Sequence, residues 1–164
     1  WPIRIFTPIL FGCTLLVNYL LGINRNKEIS DKFSLYTTPP GFFFAIWAVI
    51  YSGLIFANIY NLIKNVWSLK THIYFGITNA LNIIWTIVFD IGNKPAVVVA
   101  SFLLIALTFF IFMTWVSMGE VPEKQINIMT YVLRNIFAFY LGWCIAASNL
   151  NFGMNIVYWW NAPK

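Results

Sequence analysis

Polar and apolar positions alternate along this chain on the scale of whole segments. Five long apolar runs, 5–23, 42–63, 73–91, 96–116 and 128–150, are separated by short polar stretches. Each run is close to the roughly 20 apolar residues that a helix needs to cross a bilayer. Lipid offers backbone groups no partner, so only helices or closed barrels span it. These runs are about twice the roughly 10-residue alternating segments of a membrane barrel. The pattern predicts an all-α integral membrane protein, a five-transmembrane-helix bundle forming a single domain over 1–164. The expected connections are a polar loop Asn24–Thr38, a linker with Lys64, Trp67, Lys70 and His72, a turn Gly92–Pro95, and a loop Ser117–Gln125. An aromatic tail, Asn151–Lys164, follows the last run.

The runs carry internal detail. Thr38-Pro39-Pro40-Gly41 reads as the start of the second helix, because proline in a first turn gives up an N–H that would be unpaired anyway. Trp47, Tyr51 and Asn58 then share one face at helical spacing. In the third run Asn79, Asn82, Thr86 and Phe89 share a face, with Trp85 beside it. In the fifth, Tyr140, Trp143, Ala147 and Leu150 trace a face ending at Asn151. Amides are costly in hydrocarbon, so Asn79 and Asn82 are expected to point into the bundle, either as interhelical hydrogen-bond partners or as ligand contacts. Gly53/Ala57, Gly76/Ala80, Ala96/Ala100 and Gly142/Ala146 have the spacing that lets helix backbones approach in lipid, in the bundle interior or along a homodimer seam.

Composition sharpens the class. The chain is 60% hydrophobic, 20% aromatic and 9% charged, against about 25% charged residues in a soluble domain. The net charge of +5 is read as contact with membrane lipid headgroups, not nucleic acid, since no basic stripe alternates with exposed aromatics. Arg4, Lys64, Lys70 and Lys124 fall on one side of the membrane, and Arg25, Lys27, Lys32, Lys94 and Lys164 on the other, so charge does not set the orientation. Cys13 and Cys144 lie inside apolar runs without CxxC spacing, which indicates neither disulfide framework nor zinc site. One histidine and no clustered carboxylates in the spans do not support enzyme chemistry, and no tightly bound cofactor is expected. His72 is read as a headgroup contact, Arg134 as snorkelling or pairing with Glu123, and Trp67, Trp115, Trp159 and Trp160 as interfacial anchors.

Three stretches, TPPGFFFAIWAVIY (38–51), LNIIWTIVF (81–89) and FYLGWCIAASNLN (139–151), resemble the TspO/MBR family, the tryptophan-rich sensory and translocator (peripheral benzodiazepine receptor) proteins. The resemblance runs through all five spans in order. It implies a ligand cavity between the helices, capped by the first loop, that takes a tetrapyrrole such as protoporphyrin IX or haem, or a lipid-like molecule. The site residues it implies are Trp47, Asn82, Trp85, Ala100, Trp143, Ala147 and Leu150. This chain departs from the family pattern at Phe44, where alanine is frequent, and at Val97 and Ser101, which replace a tryptophan and an aspartate. Arg134, Phe137 and Leu141 fit an inverse cholesterol pattern. Two function classes follow: a ligand-binding translocator or sensor, and a non-catalytic accessory subunit of a larger membrane complex, for which a mitochondrial respiratory assembly is the analogy. In the second, Phe43 or Phe44 is expected to fill the cavity.

Overall fold

Helix α1 (Pro2–Val17) runs into a π-helical turn (Asn18–Gly22) and on into α2 (Ile23–Lys32), and four longer helices follow: α3 (Ile46–Lys64), α4 (Leu69–Asp90), α5 (Lys94–Ser117) and α6 (Ile128–Trp159). The computed structural model describes residues 2–36, 38, 40, 42, 45–120 and 127–159, and of these it describes no side chain for 22–27 or 159. Five segments are long and apolar enough to cross a membrane: Pro2–Leu21, Ile46–Lys64, Leu69–Asp90, Lys94–Ser117 and Ile128–Tyr158. The fold is therefore the expected five-span α-helical bundle, with no strand among the described residues.

Helix starts follow local chemistry. Ser68 caps α4 by accepting from the Thr71 N–H, and Asn93 caps α5 by accepting from the Ala96 N–H, with Pro95 in the first turn. Asn127 caps α6 by accepting the Thr130 N–H at 3.1 Å. At the other end of α3, Asn65 adopts a left-handed conformation (φ 54°) and returns its N–H to the Asn61 carbonyl. Gly92 closes the α4–α5 turn at φ +64°, where a side chain would be strained and a Cβ would meet Ile29 at 3.3 Å.

Three boundaries differ from the sequence reading. The stretch from Asn24 was expected as loop but is helical to Lys32, because Ile29 and Phe33 place a buried apolar stripe within it. The second long helix begins at Ile46, not Phe42. The Thr38 hydroxyl serves a turn instead, accepting the Leu35 N–H at 2.8 Å, and backbone ahead of a proline is steered away from the helical region. Pro39, Gly41, Phe43 and Phe44 lie outside the described residues. The fifth span does not stop at Leu150: Ala147, Asn151, Met154 and Tyr158 carry the inward face on at helical spacing to Trp159.

The helices neighbour one another in the cyclic order α1, α4, α5, α6, α3 and back to α1, with α4–α5 and α5–α6 the extensive contacts and α1–α3 the lightest. The small-residue pairs divide. Ala57 and both Ala96 and Ala100 are buried in the core, and a Cβ on Gly53 would meet Ile136 of α6 at 3.0 Å. Gly76 and Gly142 have open space where a Cβ would sit, so their pairs do not seam this bundle. The end of α6 clasps the segment after α2. The Tyr158 hydroxyl donates to the Ser34 carbonyl at 2.9 Å, its ring meets Phe33 edge-on at 5.2 Å, and Leu35 reaches within 2.9 Å of a notional Cβ on Gly153.

Candidate functional site

The first turn of α3 delivers Trp47 into the space between α4 and α6. Its ring stacks on Tyr51 one turn later (centroids 5.4 Å) and approaches Trp85 of α4 at 6.5 Å. It also meets Tyr140 and Trp143 of α6 edge-on, at 6.1 and 6.0 Å. Trp85 in turn stacks on Phe89 at 5.4 Å. These spacings are those of directly packed aromatic pairs. The three implied tryptophans thus share one cluster, closed by ring-on-ring contact. Two donors in it are buried without a hydrogen-bond partner among the described residues: the indole N–H groups of Trp85 and Trp143. Buried donors of this kind are exceptional, because each forfeits its hydration with nothing in exchange.

Asn82 lies beside this cluster but is committed to the protein. Its Nδ2 donates to the Tyr140 hydroxyl at 3.1 Å, and its Oδ1 accepts from Asn18 Nδ2 at 2.7 Å. The Thr86 hydroxyl lies between Asn18 Oδ1 at 3.2 Å and the Asn82 carbonyl at 2.9 Å and shares its one proton between them. A buried polar chain therefore links α4, the π-helical turn and α6. Asn79 is also buried, with its amide turned onto the Phe75 carbonyl of its own helix at 2.7 Å. Ala100 is fully enclosed on α5, while Ala147 and Leu150 are half-buried on α6 and pack against the same core. Ser101 receives a hydrogen bond from Asn155 at 2.8 Å. That partner lies beyond the expected end of the last span, so the sequence reading missed it.

The opposite end of α3 holds a second polar cluster. His72 is buried, not at a headgroup, because Thr7 and Asn61 reach it from α1 and α3. The Asn61 Oδ1 accepts the Trp67 N–H at 2.9 Å, which turns Asn61 Nδ2 toward His72 Nε2 at 3.4 Å. Thr7 gives its own proton to the Ile3 carbonyl, so His72 Nδ1 is the donor in their 3.0 Å contact. Those two bonds select the Nδ1–H form of the ring. Trp67 is likewise no surface anchor: it packs edge-on against His72, Phe75 and Phe137. Phe137 is fully buried, so the inverse cholesterol pattern does not present it to lipid. Arg134 lies over Trp115 at 4.6 Å, and Glu123 is outside the described residues, as are Trp160 and the Trp159 side chain. Among the described residues no three His, Cys, Asp or Glu side chains come together as a metal site.

A family model described as TSPO-like protein matches residues 4–162 of the chain. No curated protein and no solved structure matches it.

Proposed function

The chain belongs to the TSPO-like protein family, and from that premise we propose that this multi-pass membrane protein binds a flat, hydrophobic ligand of the tetrapyrrole or lipid-like class at the Trp47 cluster, and acts by binding rather than by catalysis. The observation that carries the reading is the pair of unpaired buried donors on Trp85 and Trp143. A macrocycle with acceptor groups on its edge would stack on the indoles and satisfy those donors together. The rings touch one another, so entry requires Trp47 to swing aside. Trp47 is half-buried, where Trp85 and Tyr140 are buried, and it sits on the more lightly packed helix. Ala147 and Leu150 would form the α6 wall and Ala100 the α5 floor, with Asn82 holding Tyr140 in place.

Protoporphyrin IX titrated into the purified protein should quench tryptophan fluorescence saturably. Trp143→Ala removes a stacking wall worth about 1–3 kcal/mol, a loss of roughly 5- to 150-fold in affinity. Quenching unaffected by that change would refute the placement of the site.

A second reading, an accessory subunit of a larger membrane complex, is favoured by one observation. Asn149 is exposed on α6, beside Ser148, which bonds Thr108 in the middle of α5. An amide facing outward at that depth suits a protein neighbour, a second copy or another subunit, better than lipid. This reading requires co-purifying partners and no saturable porphyrin quenching. A mitochondrial location would go with it.

A further inference from the structure

Trp47 and Lys64 stand at opposite ends of α3, about 25 Å apart along its axis. Around Lys64 the structure has a cavity of about 330 Å³, within the range of small-molecule sites, about 300–1,000 Å³. Its lining combines polar residues, Lys64, Ser68, Asn127 and Thr130, with apolar ones, Tyr60, Met129 and Leu133. A smaller cavity of about 180 Å³, bearing Arg4 and His72, lies against the same Trp67.

Among the described residues the electrostatics of this end favour an anion. Helices α4 and α6 both start here, and their positive N-terminal ends favour an anion. Helices α3 and α5 end here, and several of their terminal carbonyls are already occupied. Arg4 donates to the carbonyls of Asn61 and Leu62, and the Asn65 N–H also serves Asn61. In α5 the Met118 N–H and the Ser117 hydroxyl both serve Thr114, and the Gly119 N–H serves Val116. The nearby carboxylate, Glu120, is taken by Lys70 at 2.8 Å. Lys64 has no carboxylate partner among the described residues. Trp67 lines the cavity, is only 7% exposed, and holds a buried indole N–H without an acceptor among the described residues. That N–H is buried in the cavity wall, and a seated oxyanion supplies the acceptor once the ring edge turns toward it.

We propose that this cavity binds the phosphate of an anionic phospholipid, Lys64 and Trp67 facing the phosphate and the acyl chains leaving past Tyr60, Met129 and Leu133. Basic pockets between transmembrane helices at the interface are suited to such headgroups. The site is separate from the Trp47 cluster and does not depend on its ligand.

The test uses the full chain, stripped of lipid by detergent exchange and melted against increasing dihexanoyl phosphatidylglycerol, dihexanoyl phosphatidylcholine or inorganic phosphate. The expected result is a saturable rise in Tm with the anionic lipid, at concentrations below those needed of the other two. Lys64→Gln, an exposed change compatible with folding, should raise the half-saturating concentration about fivefold, the effect of one lysine charge near a headgroup. Trp67→Phe, which keeps the ring and removes the N–H, should raise it as well. An unchanged half-saturation in Lys64→Gln overturns the proposal. So does inorganic phosphate acting as readily as the lipid, which marks a small-anion site, or phosphatidylcholine acting as readily as phosphatidylglycerol. Porphyrin quenching in Lys64→Gln should match the parent, which separates this site from the Trp47 cluster.

Discussion

Replacing Asn82 by alanine discriminates between a ligand contact and a bundle fastener, the two roles its sequence leaves open. In the structure the change removes two bonds between elements, one to the Tyr140 hydroxyl at 3.1 Å and one from Asn18 at 2.7 Å. It leaves the buried Tyr140 hydroxyl without that bond, while the other partners keep theirs. Asn18 Nδ2 keeps the Thr14 carbonyl at 2.9 Å, and Thr86 keeps the backbone carbonyl of residue 82 at 2.9 Å. Hydrogen bonds between transmembrane helices are worth about 0.6 kcal/mol on average and about 1.7 at most, so Asn82→Ala should cost about 1–3 kcal/mol. The assay is unfolding by sodium dodecyl sulfate in mixed micelles, followed by helical circular dichroism. A double-mutant cycle with Tyr140→Phe isolates the α4–α6 bond and should return a coupling of about 0.6 kcal/mol. Strict additivity, combined with a tenfold or greater fall in porphyrin affinity for Asn82→Ala, would refute the fastener role and make Asn82 a ligand contact.

Two further outcomes follow from the packing. Gly53→Ala should lower stability by about 1 kcal/mol, because its new methyl meets Ile136 at 3.0 Å. Gly142→Ala, with open space around it, should be neutral or gain up to about 1 kcal/mol from helix propensity, so only Gly53→Ala should lower the melting temperature. Asn61→Leu strands the buried Trp67 backbone N–H and should cost about 1–3 kcal/mol in the same unfolding assay, with porphyrin quenching unchanged because Asn61 lies at the far end of α3.

The five spans were legible because hydrocarbon imposes one demand, about 20 apolar residues, on every one of them. The aromatic cluster was legible in part, since Trp47, Trp85 and Trp143 each sit on a face that periodicity defines. Helix ends were harder, because a polar residue near a span end reads as a stop. Ile29 and Phe33 hide an apolar stripe among charges, and Asn151 is followed by the buried Met154, so α2 and the end of α6 both went unread. His72 and Trp67 were misplaced for a related reason. Residues near a helix start look interfacial in sequence, yet Thr7 and Asn61, distant along the chain, enclose them. Spacing along one helix does not disclose which other helix supplies a partner. The Asn18–Asn82–Tyr140 chain therefore emerges only from the tertiary arrangement.

The grip of α6 on the segment after α2 gives the bundle a mechanical linkage. Tyr158 and Gly153 hold Ser34, Phe33 and Leu35, and the same strand of chain leads a dozen or so residues later to Trp47. Helix α6, continuous from Ile128 to Trp159, carries Trp143 at its middle and this clasp near its end. The helix that supplies one wall of the aromatic cluster is therefore also the one that anchors the segment after α2, as one bar carries both a hinge and a latch.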